Sequence, residues 1–147
     1  MQKSYFAQHG DQANAFYKAH PQLAKDTVTI CDLALSRLLA MNDGEFPWLI
    51  LVPRRAGASD MIDLGDEQTQ LMDELSRVSR ALKDETRCDK LNVGAIGNVV
   101  PQLHIHVVAR RKDDPLWPKP IWGLAPRCVS EPAALDRFAA AIRQRVA

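Results

Sequence analysis

The sequence has little of what marks secreted, membrane or nucleic-acid-binding proteins. Its three cysteines, Cys31, Cys88 and Cys128, are odd in number and show no C-x-x-C spacing, so we expect reduced thiols and a cytoplasmic location. No apolar run approaches the ~18 residues of a membrane span, and the start "MQKSYFAQHG" lacks the apolar core of a signal peptide. With 19 basic against 18 acidic residues, the chain has no excess charge to attract a long nucleic acid. A small charged substrate remains compatible with this balance.

What is present is typical of one globular domain: 147 residues, 46% apolar and 25% charged, with no internal repeat. The stretch "TVTICDLALSRLLAM", Thr27 to Met41, predicts two short strands broken near Asp32. "NDG", beginning at Asn42, predicts a turn. The run "WLILV", starting at Trp48 between two prolines, predicts a buried strand after that turn.

Two helices follow from other patterns. Four apolar residues are spaced by four, three and four positions and form one helical stripe: Leu71, Leu75, Val78 and Leu82. They predict a helix from Asp66 to about Asp84 that packs on the sheet. Asp63 or Asp66 is the expected N-cap. A terminal helix is predicted from Glu131 and Pro132, because proline suits a first helical position. Five of the nine prolines lie between residues 115 and 132, so the segment before this helix is expected to be extended and stiff.

The stretch "VVPQLHIHVVARR", Val99 to Arg111, places two histidines in an apolar run. In a strand, alternate residues share a face, so Gln102, His104 and His106 line one side. The apolar residues between them are expected to face the long helix. The polar side then carries two imidazoles separated by roughly 6.6 to 6.8 Å along the strand.

Three explanations compete for this histidine pair. The histidines could be ordinary surface residues. They could bind zinc, although the nearest further ligands, Asp113 and Asp114, lie past the strand end. Alternatively, a neutral imidazole could attack phosphorus and form a covalent intermediate.

The third explanation needs fixed donors for phosphoryl oxygens, and "GAIGNVVP", Gly94 to Pro101, leads directly into the histidine strand. Glycines let the main chain approach a phosphate closely. The Asn98 amide and the backbone N–H groups of Asn98, Val99 and Val100 are the candidate donors. Taken alone, this Gly-x-x-Gly pattern is equally well explained as a hairpin loop.

Together these residues resemble the histidine triad (HIT) family, whose motif His-φ-His-φ-His-φ-φ, with φ apolar, follows a glycine-containing loop. Here the motif stands as "QLHIHVV", Gln102 to Val108. "LLAMNDGEFPWLILVPRR" and "LNVGAIGN" resemble further family segments, so the resemblance covers about Leu35 to Arg111. It implies a single α+β domain over residues 1–147, with a core at about 27–111 and a Pro/Trp-rich segment and helix at 113–147. The implied architecture is an antiparallel sheet of about five strands, one long helix packed on it and a C-terminal helix, forming a homodimer.

The resemblance also implies roles for individual residues. His104 would be the nucleophile that takes a nucleoside monophosphate from a phosphoanhydride or phosphoramidate, with its other ring nitrogen held by a backbone carbonyl. His106 would contact the phosphate and assist the leaving group. Asn42 would bind ribose, Asn98 phosphate, and Asn92 would open the loop. No organic cofactor is implied, although a divalent cation could accompany a polyphosphate substrate.

The sequence departs from the family pattern at two supporting positions. Gln102 replaces the first histidine, and Trp48 lies where hydrolase branches usually carry another. Since glutamine cannot become cationic, a rebuilt catalytic site and a nucleotide-binding module with little catalysis both remain open, as does metal binding through the two histidines.

The segment from Asp114 to Gly123 carries two tryptophans, Trp117 and Trp122. They could stack on a base or close a dimer interface, as C-terminal segments in the family do, or pack on their own protomer. Arg110 and Arg111, at the end of the histidine strand, are expected either to steer phosphates or to be solvated.

Overall fold

Five antiparallel strands form one sheet in the computed structural model, which describes residues 18–124 and 128–147. The strands in chain order are β1 (Thr27–Asp32), β2 (Ser36–Met41), β3 (Trp48–Pro53), β4 (Lys90–Gly94) and β5 (Ile105–Arg110). The helices are α1 (Pro21–Asp26), a 3-10 helix (Met61–Glu67), α2 (Gln68–Thr86) and α3 (Pro132–Val146). Because the spatial order is β1-β2-β3-β5-β4, β5 lies inside the sheet. It begins at Ile105, so His106 lies on this strand as predicted, whereas Gln102 and His104 precede it. The predicted α+β architecture is confirmed.

One face of the sheet packs against α2 and α3. The alternate apolar residues of β5, Ile105 and Val107, join Leu49 and Leu51 of β3 in this main core. The predicted stripe of α2 packs on the same core, with Leu75 only partly buried. The side of β5 that carries no histidine therefore faces the helices, as its alternation predicts.

Glu74 is a charged residue within the buried face of α2, where it is 1% exposed. Its carboxylate accepts backbone N–H groups from Leu35, at 2.7 Å, and Ser36, at 3.1 Å. Buried carboxylates are tolerated when such donors replace water. Glu74 thereby fastens α2 to the start of β2.

The opposite face of the sheet is covered only in part. Leu23 of α1 and Val100 pack on the outer residues of β2 and β3: Leu39, Ile50 and Val52. A smaller cluster forms where Phe46, Val108 and Ile121 meet. His104 and His106 belong to this second face.

The start of the long helix differs from the prediction. The α-helix begins at Gln68 and its N-cap is Glu67, which makes no side-chain cap hydrogen bond. Asp63 instead accepts the backbone N–H groups of Ser59 and Asp60, each at 2.9 Å. The reason is the preceding 3-10 helix, broken at Gly65 with φ of 55°, which shifts the α-helix past both predicted caps.

The segment after β5 is a series of turns, so the predicted extended conformation is wrong. Backbone N–H groups of Asp114, Trp117 and Lys119 each donate to the carbonyl three residues earlier. The fixed φ of proline suits turns as well as extended chain. The segment packs on its own protomer through Trp117 and Trp122.

Arg110 anchors this segment. It is 1% exposed and donates two hydrogen bonds to Asp114, at 2.7 and 2.9 Å. Its guanidinium lies 5.6 Å from the Phe46 ring centroid and 5.7 Å from that of Trp117. Arg110 is thus neither solvated nor directed at a phosphate, because its guanidinium is paired with the carboxylate of Asp114. Arg111 is exposed beside Asp113.

The three cysteines are free thiols, as predicted. No helix in the described ranges is long and apolar enough to cross a membrane. The cytoplasmic location stays a prediction.

Asp114→Asn is expected to lower the free energy of unfolding by about 3 kcal/mol, since it leaves the Arg110 guanidinium buried without a counter-charge. Asp113→Asn, in the exposed pair with Arg111, is the matched control and should change stability little. Urea denaturation of the three proteins at neutral pH measures both effects. Equal midpoints for the two variants would show that the buried pair contributes no more than the exposed one.

Candidate active site

His104 and His106 lie side by side on the less covered face of the sheet. Their ring centroids are 4.9 Å apart at an interplanar angle of 77°, and each residue is 7% exposed. Ordinary surface histidines are far more exposed, so that explanation does not fit. Within residues 18–124 and 128–147, no group of three or more His, Cys, Asp or Glu side chains is placed to hold a metal ion.

The tautomer of His104 follows from its hydrogen bond. Nδ1 lies 2.6 Å from the backbone oxygen of Gln102, and a carbonyl oxygen can only accept. Nδ1 therefore carries the proton when the ring is neutral, and Nε2 carries the lone pair. The expected carbonyl contact is present, and it leaves the lone pair on Nε2.

His106 has the opposite tautomer. The indole Nε1–H of Trp48 donates to His106 Nδ1 at 3.0 Å, so a neutral ring carries its proton on Nε2. Burial, and secondarily the charge of nearby His104, lowers the pKa of His106 to about 4. His106 is therefore a neutral hydrogen-bond donor at physiological pH.

The side chain of Gln102 binds the chain that precedes α1. Its Oε1 accepts the backbone N–H of His20, and its Nε2 donates to the backbone oxygen of Lys18, both at 2.8 Å. Both polar atoms of the Gln102 amide are thus used by backbone groups. This position holds two distant parts of the chain together while its own carbonyl orients His104.

A cavity of about 240 Å³ lies beside the two tryptophans that contact His106. Its walls include Trp48 and Trp122, whose ring centroids lie 5.5 and 5.7 Å from that of His106. Asn42 also lines the cavity, with Oδ1 accepting the Ser130 backbone N–H at 2.9 Å. The cavity thus has two aromatic walls and one amide, and two carboxylates, Asp26 and Asp43, also line it.

A second, smaller cavity of about 100 Å³ adjoins His104. The residues around it come from the start of the 3-10 helix, from the glycine loop and from the stretch that directly precedes β5: Ser59, Asp60, Met61, Ala95, Ile96, Gly97, Gln102, Leu103 and His104. Gly97 has φ of 69°, a conformation that favours glycine. The first half of the loop therefore lies beside His104.

The remaining predicted loop residues lie elsewhere. Asn98 is exposed and Val99 is 89% exposed, while Val100 is buried against β2 and β3. Asn92, on β4, accepts Arg110 Nη1–H at 2.8 Å through its Oδ1. The structure thus brings Gln102, His104 and His106 together, with Asn42 beyond Trp48, and leaves Asn92 in the network of Arg110.

Sequence reasoning missed three contributors. It treated Trp48 only as a departure from the family pattern. Ile50 pairs with His106 across β3 and β5, and Trp48 lies two residues from Ile50 on the same strand. Such diagonal neighbours on adjacent strands can place an aromatic side chain against a histidine. It left Trp122 undecided. The segment that contains Ser59 lies near His104 only because of the fold. No signal in the sequence indicates this contact.

In an NMR pH titration, the His106 ring is expected to stay neutral down to about pH 4. Trp48→Phe should raise the His106 pKa, because the indole N–H occupies the lone pair that a proton would take. The rise should be partial, since burial remains. Trp122→Phe keeps the aromatic contact and removes no hydrogen bond to His106, so it serves as control. An unchanged pKa in Trp48→Phe would contradict the assigned tautomer.

Comparison with known proteins agrees with this geometry. The family model of the HIT domain matches residues 11–113. A histidine triad protein from Bradyrhizobium japonicum is 48% identical, with a TM-score of 0.87 over 89% of this chain and 98% of that chain. One from Sinorhizobium meliloti is 39% identical, with a TM-score of 0.86 over the same shares of the two chains, 89% and 98%.

A third histidine triad protein, from Marinobacter aquaeolei, is 37% identical, with a TM-score of 0.85 over 88% of this chain and 96% of that chain. A comparison with curated proteins finds no match. The HIT family comprises nucleotide-binding proteins, hydrolases and transferases. The domain match and these solved structures show that the chain belongs to the histidine triad family.

Proposed function

We propose that the protein is a nucleotide phosphohydrolase or nucleotidyl transferase that works through a covalent intermediate on His104. Its substrate class is a nucleoside monophosphate joined by a phosphoanhydride or phosphoramidate bond. The observation that carries this proposal is the pair of opposite tautomers: one ring presents a lone pair and its neighbour presents an N–H. That combination supplies a nucleophile and a donor for the same phosphoryl group.

In the first step, the lone pair of His104 Nε2 attacks phosphorus and the bond to the leaving group breaks. The ring of His104 becomes cationic as the P–N bond forms, and the Gln102 carbonyl stabilises the Nδ1–H. His106 Nε2–H donates to a phosphoryl oxygen. In the second step, water or another hydroxyl acceptor attacks phosphorus and releases its proton to solvent, while the P–N bond breaks and the electron pair returns to Nε2.

His106 remains neutral throughout, because its low pKa makes it a poor carrier of an added proton at neutral pH. We therefore assign it to charge stabilisation by hydrogen bonding, with the leaving group departing as an anion or taking its proton from water. The hydrogen bond from Trp48 to His106 Nδ1 leaves the Nε2–H of His106 free to donate to a phosphoryl oxygen. Phosphoanhydrides, whose leaving groups depart as stable anions, suit it better than phosphoramidates.

We assign the nucleoside to the cavity beside the two tryptophans, with Trp48 and Trp122 as walls for the base and Asn42 as the ribose contact. The phosphate would meet the glycine loop, whose residues Ala95 to Gly97 adjoin His104. The backbone N–H groups of Asn98, Val99 and Val100 stay candidate phosphate donors. For Asn92 we favour support of the strand through Arg110 over contact with substrate.

The second candidate function is a nucleotide-binding module with little catalysis. The observation that favours it is the Gln102 amide, which is fully engaged by the backbone of Lys18 and His20 and cannot relay a proton. Such a module would bind nucleotides and form no histidine adduct. The homodimer and the cytoplasmic location accompany both candidates as predictions.

His104→Ala is expected to lower turnover by at least about 10³-fold while leaving the fold intact, since the residue directly precedes β5 and its ring lies on the less covered face of the sheet. The substrate panel is a dinucleoside polyphosphate, a nucleoside phosphoramidate and a nucleotide sugar. Mass spectrometry of quenched reactions should find a nucleotidyl adduct in the wild type and in a slower His106→Ala variant, and none in His104→Ala.

Circular dichroism and thermal unfolding of His104→Ala control for misfolding. Wild-type turnover retained by His104→Ala would overturn the covalent mechanism. Wild-type protein that binds nucleotide, turns over no member of the panel and traps no adduct would instead establish the binding module.

A further inference from the structure

A third cavity, of about 350 Å³, lies on the far side of Gln102 from the histidines. It forms between the chain that precedes α1, the loop after β3 and the start of the histidine motif, and its lining residues are Lys18, His20, Ala56, Gly57, Ala58, Ser59, Pro101 and Gln102. Ser59 and Gln102 also line the small cavity of His104. The two cavities are therefore neighbours across a shared wall.

The chemistry of this third cavity suits an anion. Lys18 is the one permanently charged side chain among the described lining residues, and no carboxylate is among them. His20 Nδ1 accepts the Gln22 backbone N–H at 3.1 Å, so a neutral His20 ring carries its proton on Nε2 and is a donor. Asp60 lines the cavity of His104 and is not among the residues that line the Lys18 cavity.

The cavity has a fixed wall, because Gln102 holds Lys18 and His20 through two backbone hydrogen bonds of 2.8 Å. Gly57, with φ of 83°, has no atom within 4 Å of where a Cβ would stand. Open space therefore lies beside the main chain at this point, and a ligand can approach it closely.

The three cavities are connected through shared residues and ring contacts. The cavity of His104 shares Ser59 and Gln102 with the Lys18 cavity. The His104 ring contacts that of His106, and the His106 ring contacts Trp48 and Trp122, which line the tryptophan cavity. A substrate whose nucleoside lies beside the tryptophans and whose phosphorus meets His104 would extend its leaving group toward Lys18.

We propose that the Lys18 cavity is the subsite for an anionic, phosphate-bearing leaving group. This inference rests on the proposed function and narrows its substrate class to phosphoanhydrides whose leaving group carries at least one further phosphate. When the P–O bond breaks, the leaving oxygen keeps the electron pair. Lys18 and His20 bind the further phosphate of the leaving group equally before and during this step, while His104 carries the bond change.

The test measures binding of inorganic tripolyphosphate, by calorimetry, to wild type, Lys18→Ala and Lys25→Ala at low salt. Lys25 is an exposed lysine of α1 that lines none of these three cavities, so its variant removes the same charge as a matched control. Lys18→Ala should weaken Kd by about five-fold, the usual order for one solvent-accessible charge contact. Lys25→Ala should bind like wild type. Equal weakening in the two variants, or none in Lys18→Ala, overturns the subsite.

Turnover separates this inference from the proposed function. Lys18→Ala should raise KM for a dinucleoside polyphosphate with little change in kcat, and leave KM unchanged for a nucleoside phosphoramidate of an uncharged amine. Adduct formation with equal KM values in wild type and Lys18→Ala overturns the subsite and leaves the function standing. Absence of any adduct in wild type overturns the function, and the leaving-group assignment fails with it.

Discussion

The alternation of β5 is the constraint on which the site depends. One side of this strand must be apolar to pack on α2 and α3, and that packing fixes its rotation within the sheet. The other side then presents His106, and His104, just before the strand, follows the same alternation, so the two rings lie together and both are nearly buried. Once the rings are removed from water, each Nδ1 needs a fixed partner. The Gln102 carbonyl and the Trp48 indole supply these partners, and the two different choices produce the two different tautomers.

The two departures from the family motif share this physical logic. The indole N–H of Trp48 can only donate a hydrogen bond, whereas a histidine at this position could also accept one. Because the indole occupies the lone pair of His106 Nδ1, His106 stays neutral. At position 102 an amide with one donor and one acceptor meets one carbonyl and one N–H of the backbone. Each replacement exchanges an ionisable group for a neutral one with matching hydrogen bonds. The site is thereby less dependent on pH than one built from four histidines.

Much of the fold could be predicted because its signals are local. The apolar spacing of α2 and the turn at Asn42 each specify an element without reference to the rest of the chain. The start of α2 was mispredicted because the chain is broken at Gly65, and the turns after β5 were mispredicted because Asp114 accepts backbone hydrogen bonds there. Both effects depend on neighbours in space. At the site, the alternation of β5 located the histidines. The partners of Gln102 and His106 could not be inferred, since they lie 82 and 58 residues away in sequence.

The ion pair of Arg110 and Asp114 has a consequence for the tryptophan cavity. It ties the end of β5 to the turns that carry Trp122, and Gly94 lets that indole lie so close that a Cβ would stand 3.2 Å from it. Because Trp122 is held on both sides, its side chain has little conformational freedom to lose when a ligand binds. Any ligand of this cavity would therefore be selected by its fit to a rigid shape, and most of the entropic cost of association would fall on the ligand.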